Sequence, residues 1–367
     1  MSTSVRKLEH LNLCVEKDVE ARKSSTGLRI SGFDDIELIH NCLPEINKDS
    51  LDMETVFLGR KLAAPLLIAS MTGGHPGTKA ANAALAGAAE ELGIGMGVGS
   101  QRAAIEDPQL EDSFRVVRDR APGAFIYGNV GAAQLNEFGI EGLEKAVEMI
   151  DADALAIHLN FLQEAVQPEG NVDASGCLEA IRKTCRELSV PVIVKETGAG
   201  ISHAQAVAIR DAGASAIDIG GLGGTSWAGV ETYRAKERGD ILCEHLGTEF
   251  WNWGIPTVSS IVESKVSLPV IATGGIRTGL DVAKSIALGA SLCGIALPLV
   301  APALKSSNDV VNRLKLVLGE LKVAMFLTGS RNVEELGNAP AVITGKTKEF
   351  LEQRGFETGK FARKINV

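Results

Sequence analysis

The chain has 367 residues, 45% hydrophobic and 23% charged, with a net charge of -9. That is the profile of a globular protein with ample core; it excludes a general nucleic-acid or anionic-membrane surface but leaves room for a local basic pocket. Six cysteines, at 14, 42, 177, 185, 243 and 293, form no CxxC pair, no apolar run is long enough to span a bilayer, and MSTSVRKLEH lacks the apolar core of a signal peptide, so reduced thiols in a soluble, unexported, cytoplasmic protein are expected.

Residues 1–64 are mixed, and nothing in them buries a core alone. A charged start (Arg6, Lys7, Glu9, His10) is followed by an alternating piece near Ile36–His40 and another at Glu54–Leu58. From Pro65 a unit repeats: a short apolar strand, a Gly-rich or polar exit, then a helical stretch. The strands fall at 65–70, 94–99, 124–130, 154–160, 191–197, 216–220, 269–274 and 292–297. Helices are predicted between them at 78–92, 109–120, 137–149, 174–188, 203–212, 256–265 and 279–288, with a last one over 308–327. This even count favours a (β/α)8 TIM barrel over an open sheet, since such barrels run to about 200–400 residues as one unit. The expected organisation is an N-terminal extension, 1–64, and a barrel, 65–367, that includes the C-terminal helical segment. The stretch Gly221–Gly254 after the sixth strand is an insertion, read as a long ordered loop with a functional role.

Polar groups gather where the strands would end, which is the face on which barrels carry their active sites. The fourth strand alternates, sending Ala156, His158 and Asn160 to one face, and leads to Gln163 and Glu164 on a loop closed by Pro168-Glu169-Gly170. On this segment alone, a strand end with ordinary polar capping is the favoured reading. The seventh exit, PVIATGG, lets backbone N–H groups at Gly274 and Gly275 approach an oxygen-rich anion, with Gly294 and Ala296 thinning the neighbouring wall; glycines needed only for turns are the alternative. Lys195, on the face shared by Ile193 and Thr197, points to an anionic ligand or an electron-rich ring, or else to a structural pair with Glu196 or Asp218.

Seven segments together carry a family resemblance: RKxEH at 6–10, SMTGG at 70–74, GSQR at 99–102, HLNxLQExxxPEG at 158–170, KExGxG at 195–200, GGTSWxxxE at 223–231 and GGIRxGxD at 274–281. In order, and across nearly the whole chain, they resemble the type 2, FMN-dependent isopentenyl-diphosphate delta-isomerases. One departure is Asn171, where the pattern has Asp.

The resemblance implies a barrel holding FMN that is active when reduced, with Mg²⁺ and with NAD(P)H to reduce the flavin. The implied reaction interconverts isopentenyl and dimethylallyl diphosphate. By this likeness Ser70, Met71, Thr72, Gly73, Ser100, Asn129, Lys195 and Thr225 contact flavin. Gly274, suggested above by its turn, joins Gly275, Ile276, Arg277, Ala296 and Leu297 around its phosphate. Arg6, Lys7, His10, Ser100, Gln101, Arg102, His158, Asn160 and Gln163 hold substrate, Glu164 the metal. Gln163, Glu231 and His158 are the candidate catalytic residues, and a homo-oligomer, tetramer or octamer, is implied. Two rivals share parts of the pattern: a barrel flavoenzyme doing net redox chemistry, such as a 2-hydroxy acid oxidase or a dihydroorotate-type dehydrogenase, and a non-catalytic phosphate-binding barrel. The oxidase would want a histidine base and an arginine pair where the insertion offers Thr225, Ser226, Trp227 and Glu231. A dehydrogenase with a cysteine nucleophile would want that cysteine at the mouth, and Cys243 lies deep in the insertion.

Overall fold

The structure is a computed structural model and describes residues 3–363; the ends of both expected segments, 1–2 and 364–367, lie outside the described residues. Eight short parallel strands close into a barrel in chain order: β1 (Leu66–Ile68), β2 (Gly95–Gly97), β3 (Ile126–Gly131), β4 (Ala154–Leu159), β5 (Val192–Glu196), β6 (Ala216–Asp218), β7 (Val270–Ala272) and β8 (Leu292–Ile295), with β8 pairing back onto β1. The expected eight-strand barrel is therefore present. The strands' alternation divides the core in two. Leu67, Phe125, Tyr127, Ala156, Ile193, Ile271 and Leu292 fill the barrel interior, while Leu66, Ile68, Leu155, Ile157, Val192 and Val194 face the surrounding helices.

The segment before Pro65 closes the far end and ties the chain together. Phe57 and Leu62, from the hairpin Thr55–Phe57/Arg60–Leu62, are buried in the interior cluster. Ile36–Leu38 pairs antiparallel with Ala341–Ile343, and Phe33 and Ile36 enter the main core. The last long helix, Ser307–Thr328, buries Val310, Val311, Leu314, Leu321 and Met325 and leaves Leu318 half-buried.

Three local readings are corrected. The insertion after β6 is two helices, Trp227–Arg238 and Ile241–Glu249. Ser226 Oγ accepts from Gly229 N–H, Asp240 Oδ1 accepts from Cys243 N–H, and Gly239 (φ 70°) ends the first helix; the charged sequence hides the helical period, but these caps mark it. Gln163 and Glu164 sit on a short helix, Phe161–Val166, and not on a loop. The charged start is a helix, Thr3–Glu16, whose Leu13 packs with Val19 and Val230.

Candidate active site

The barrel mouth holds the larger cavity among the described residues. It is lined by Arg6, Lys7 and His10 from the N-terminal helix, and by Ser70, Met71, Thr72, Ser100, Arg102 and Asn129 from the first three exits. His158, Asn160, Gln163, Glu164 and Lys195 come from the next two, Thr225 from the sixth, and Gly274, Gly275, Ile276, Arg277, Ala296 and Leu297 from the last two. Three candidates lie behind this lining. Gly73 packs on Phe114. The Gln101 carboxamide is buried, donating to Ala146 O at 2.7 Å and accepting from Asn129 N–H at 2.9 Å. Glu231 reaches the cavity only through its partners. Lining residues that the sequence did not single out include Gln134, Gln167 and Thr273; Thr273 lies within the PVIATGG segment and Gln167 beside the Pro-Glu-Gly turn, so position relative to those motifs was the available signal.

One end of the cavity is cationic. Burial, reinforced by the charges of Arg6 and Arg102, pushes Lys7 down to about 8 against a smaller opposing pull from Glu164. Cations crowd together in this way where an anion is to be bound. Glu164 faces them with its carboxylate fixed by Asn160 Nδ2 (2.8 Å), Gln167 Nε2 (2.8 Å) and Asn171 N–H (2.7 Å). The departure at Asn171 thus enters through its backbone. Among the described residues no three His, Cys, Asp or Glu side chains cluster to hold a metal. A Mg²⁺ ion here would rest on Glu164 and on the oxygens of a bound anion, which is how Mg²⁺ is commonly held.

Deeper in, Gln163 Nε2 donates to Glu231 Oε1 at 2.8 Å, and His10 Nε2 contacts the same oxygen at 3.1 Å. Burial alone would raise the Glu231 carboxyl. The His10 bond and charge, the Arg234 charge and the Gln163 bond outweigh it and hold the group down at about 2. Burial lowers His10 against the pull of Glu231. Burial and then the charges of Lys7 and Lys195 lower His158 to about 3, so its ring is neutral at physiological pH. Asn129 Nδ2 donates to Val98 O at 3.1 Å, which turns Oδ1 toward His158 Nδ1 at 2.8 Å and places the proton on Nδ1.

On the floor, Lys195 Nζ lies 2.8 Å from Asp218 Oδ2 and donates to Glu196 O at 3.1 Å. Thr273 Oγ1 donates to Asp218 Oδ1. Lys195 therefore makes the structural pair with Asp218 and also lines the cavity.

The wall opposite the cations fits FMN. The Gly223-Gly224 and Gly274-Gly275 turns stack backbone on backbone: a Cβ on Gly275 (φ 77°) would fall 2.3 Å from Gly223 O, and one on Gly224 2.8 Å from Gly275 N. No side chain fits there, so peptide groups themselves form a surface suited to phosphate oxygens. The buried Thr72 hydroxyl has no protein partner and is available to a ligand.

The chain matches the FMN-dependent dehydrogenase family over residues 18–114 and 144–343. It is 62% identical to the isopentenyl-diphosphate delta-isomerase of Methanosarcina barkeri over 98% of both chains. It is 64% identical to that of Methanosarcina mazei over 97% of this chain and 96% of the other, and 54% identical to that of Archaeoglobus fulgidus over 97% of this chain and all of the other. Among solved structures, a mandelate oxidase variant with benzaldehyde shares the fold at 18% identity, with a TM-score of 0.61 over 92% of this chain and 94% of the other. A putative lactate oxidase of Pediococcus acidilactici, also 18% identical, has a TM-score of 0.58 over 85% and 84%.

Proposed function

Because the chain belongs to the type 2, FMN-dependent isopentenyl-diphosphate delta-isomerases, we propose that it interconverts isopentenyl and dimethylallyl diphosphate by a 1,3-allylic proton shift. The cofactors of this reading are reduced FMN, Mg²⁺, and NAD(P)H to prime the flavin. The observation that carries it is a cavity with a cationic end and a glycine-turn wall, bridged by a neutral histidine and an amide–carboxylate pair.

Lys7, Arg6, Arg102 and His10 would bind the diphosphate, and Glu164 would hold a Mg²⁺ ion that neutralises its charge. Ser70, Thr72, Asn129, Lys195 and Thr225 hold the flavin ring, and the turns at Gly274–Arg277 and Ala296-Leu297 hold its phosphate. When bound, reduced FMN supplies an electron-rich ring that favours positive charge developing on the alkene and offers a route for its proton. His158, neutral and oriented by Asn129, presents a hydrogen-bonding ring without adding a charge that would oppose the cationic transition state. Gln163, oriented by Glu231, faces the reacting carbons, and the ionised Glu231 fixes the Gln163 amide and sets a negative charge behind it. The N-terminal helix and Trp227, whose ring meets His10 edge-on at 5.3 Å, cover the site and keep water from the alkene.

Among the described residues no helix is long and apolar enough to cross a membrane; the enzyme is proposed to be cytoplasmic and a homo-oligomer, tetramer or octamer. Incubating the FMN-loaded protein with isopentenyl diphosphate, Mg²⁺ and NADPH tests the reading. Accumulation of the acid-labile allylic diphosphate is expected, and a protein that cannot be loaded with FMN and forms none would leave only a phosphate-binding barrel.

A further inference from the structure

Arg234 lines no part of the cavity and enters the account above only through the charge it sets beside Glu231, yet its side chain is only 1% exposed and hydrogen-bonds to three carboxylates. Its Nη1 donates to Glu231 Oε2. Nε donates to Glu9 Oε2 at 2.9 Å and Nη2 to Glu169 Oε1 at 2.7 Å. Each carboxylate belongs to a different piece of the site. Glu9 lies on the N-terminal helix between Lys7 and His10; Glu169 lies in the turn that follows Glu164; Glu231 orients Gln163 and touches His10. Arg238, one turn further along the same helix, repeats two of the contacts from outside, at 3.3 Å to Glu9 and 3.6 Å to Glu169.

A guanidinium is a rigid planar fork, so three bonds from one head group fix the relative placement of three otherwise separate segments. We propose that Arg234 is a positioning residue that registers the cation-bearing helix, the metal-bearing segment and the Gln163–Glu231 pair against one another, so that an Mg²⁺–diphosphate unit and the proton-transfer groups are assembled together. The inference rests on the proposed diphosphate reading. Lysine at this position would keep the charge beside Glu231 but has no planar fork for three partners. Glu169→Gln would remove only the ionic tie to the metal segment.

The test uses FMN-loaded, full-length Arg234→Lys, Arg234→Met and Glu169→Gln proteins, with inorganic pyrophosphate plus Mg²⁺ as the probe. Its affinity is measured by calorimetry, the pH dependence of isomerisation is followed, and trypsin cleavage after Lys17 reads the arm without any ligand. Arg234→Lys and Glu169→Gln should weaken pyrophosphate binding roughly tenfold, the scale of a broken charge-assisted bond, with the acid side of the pH profile unchanged. Arg234→Met should weaken binding at least as much, move the acid limb to higher pH as Glu231 loses its cation, and speed cleavage. Wild-type affinity, pH profile and cleavage rate in all three variants would overturn the proposal, even if their melting temperatures fell. A wild-type protein that ignores pyrophosphate would instead contradict the diphosphate reading, and the cleavage rates would then decide the role of Arg234 alone.

Discussion

Two lysines face the same cavity under different constraints. Lys195 is paired with Asp218, which is fully buried. Removing the lysine strands that carboxylate, and breaking a buried pair costs about 3–5 kcal/mol. Lys195→Met should therefore lower the melting temperature and shift the bound flavin to a more negative potential. Adding Asp218→Asn should restore much of the stability but not the potential, as thermal melts and spectroelectrochemistry of the single and double variants would show. A potential unchanged in Lys195→Met would reduce Lys195 to a structural partner.

Lys7 lacks such a buried partner and its proton is loosely held, at about 8. The affinity for an anionic substrate should fall as pH rises through that value, giving kcat/KM an alkaline limb near 8 that Lys7→Met abolishes. The stability sign is opposite. Between about 8 in the folded protein and 10.5 unfolded, the unfolded chain binds more protons, so Lys7 favours folding more as pH rises through this window while binding worsens.

Gln163 and Glu164 separate by chemistry. The carboxylate can ligate Mg²⁺ and the amide can only hydrogen-bond. Glu164→Gln should raise the Mg²⁺ requirement, whereas Gln163→Ala should lower kcat with the metal dependence nearly intact. Titrating kcat against Mg²⁺ for each variant checks this, and the reverse pattern would exchange their roles.

At the scale of elements, the N-terminal helix lines the mouth of the cavity, and the proposed function makes it the substrate-binding arm. Deleting residues 1–10 removes Lys7, Glu9 and His10 but spares Leu11 and Leu13, which are buried. FMN should stay bound and KM should rise by roughly tenfold or more for each lost phosphate contact. The phosphate wall is less forgiving. Gly275→Ala puts a methyl group against the Gly223 carbonyl in a left-handed backbone, and the variant should purify with little flavin, read from its absorbance near 450 nm.

Barrel strands were legible in the sequence because each is a short apolar run between turn residues, and because alternation along β4 and β5 placed His158 and Lys195 inward. The helices of the insertion were not, since Trp227–Arg238 is rich in charged groups whose purpose, pairing with Glu9 and Glu169, appears only once distant segments meet. The place of Gln101 was hidden for a similar reason. A polar side chain at a strand exit can face the cavity or brace the wall behind it, and only its bonds to Ala146 and Asn129 decide.

For the molecule as a whole, the barrel is shared with a mandelate oxidase and a putative lactate oxidase, and its mouth here carries a cation cluster and a fixed carboxylate. These features suit moving a proton within one substrate and do not require an electron acceptor. The account rests on that distinction. The most direct measurement is turnover under strict anaerobiosis: the FMN-loaded protein is reduced once with dithionite, the excess is removed, and isopentenyl diphosphate and Mg²⁺ are added in D2O with no acceptor present. Many equivalents of deuterated dimethylallyl diphosphate per flavin, seen by NMR while the flavin spectrum stays reduced, are the predicted result. Product limited to one equivalent per flavin, or formed only when an acceptor is supplied, would contradict it.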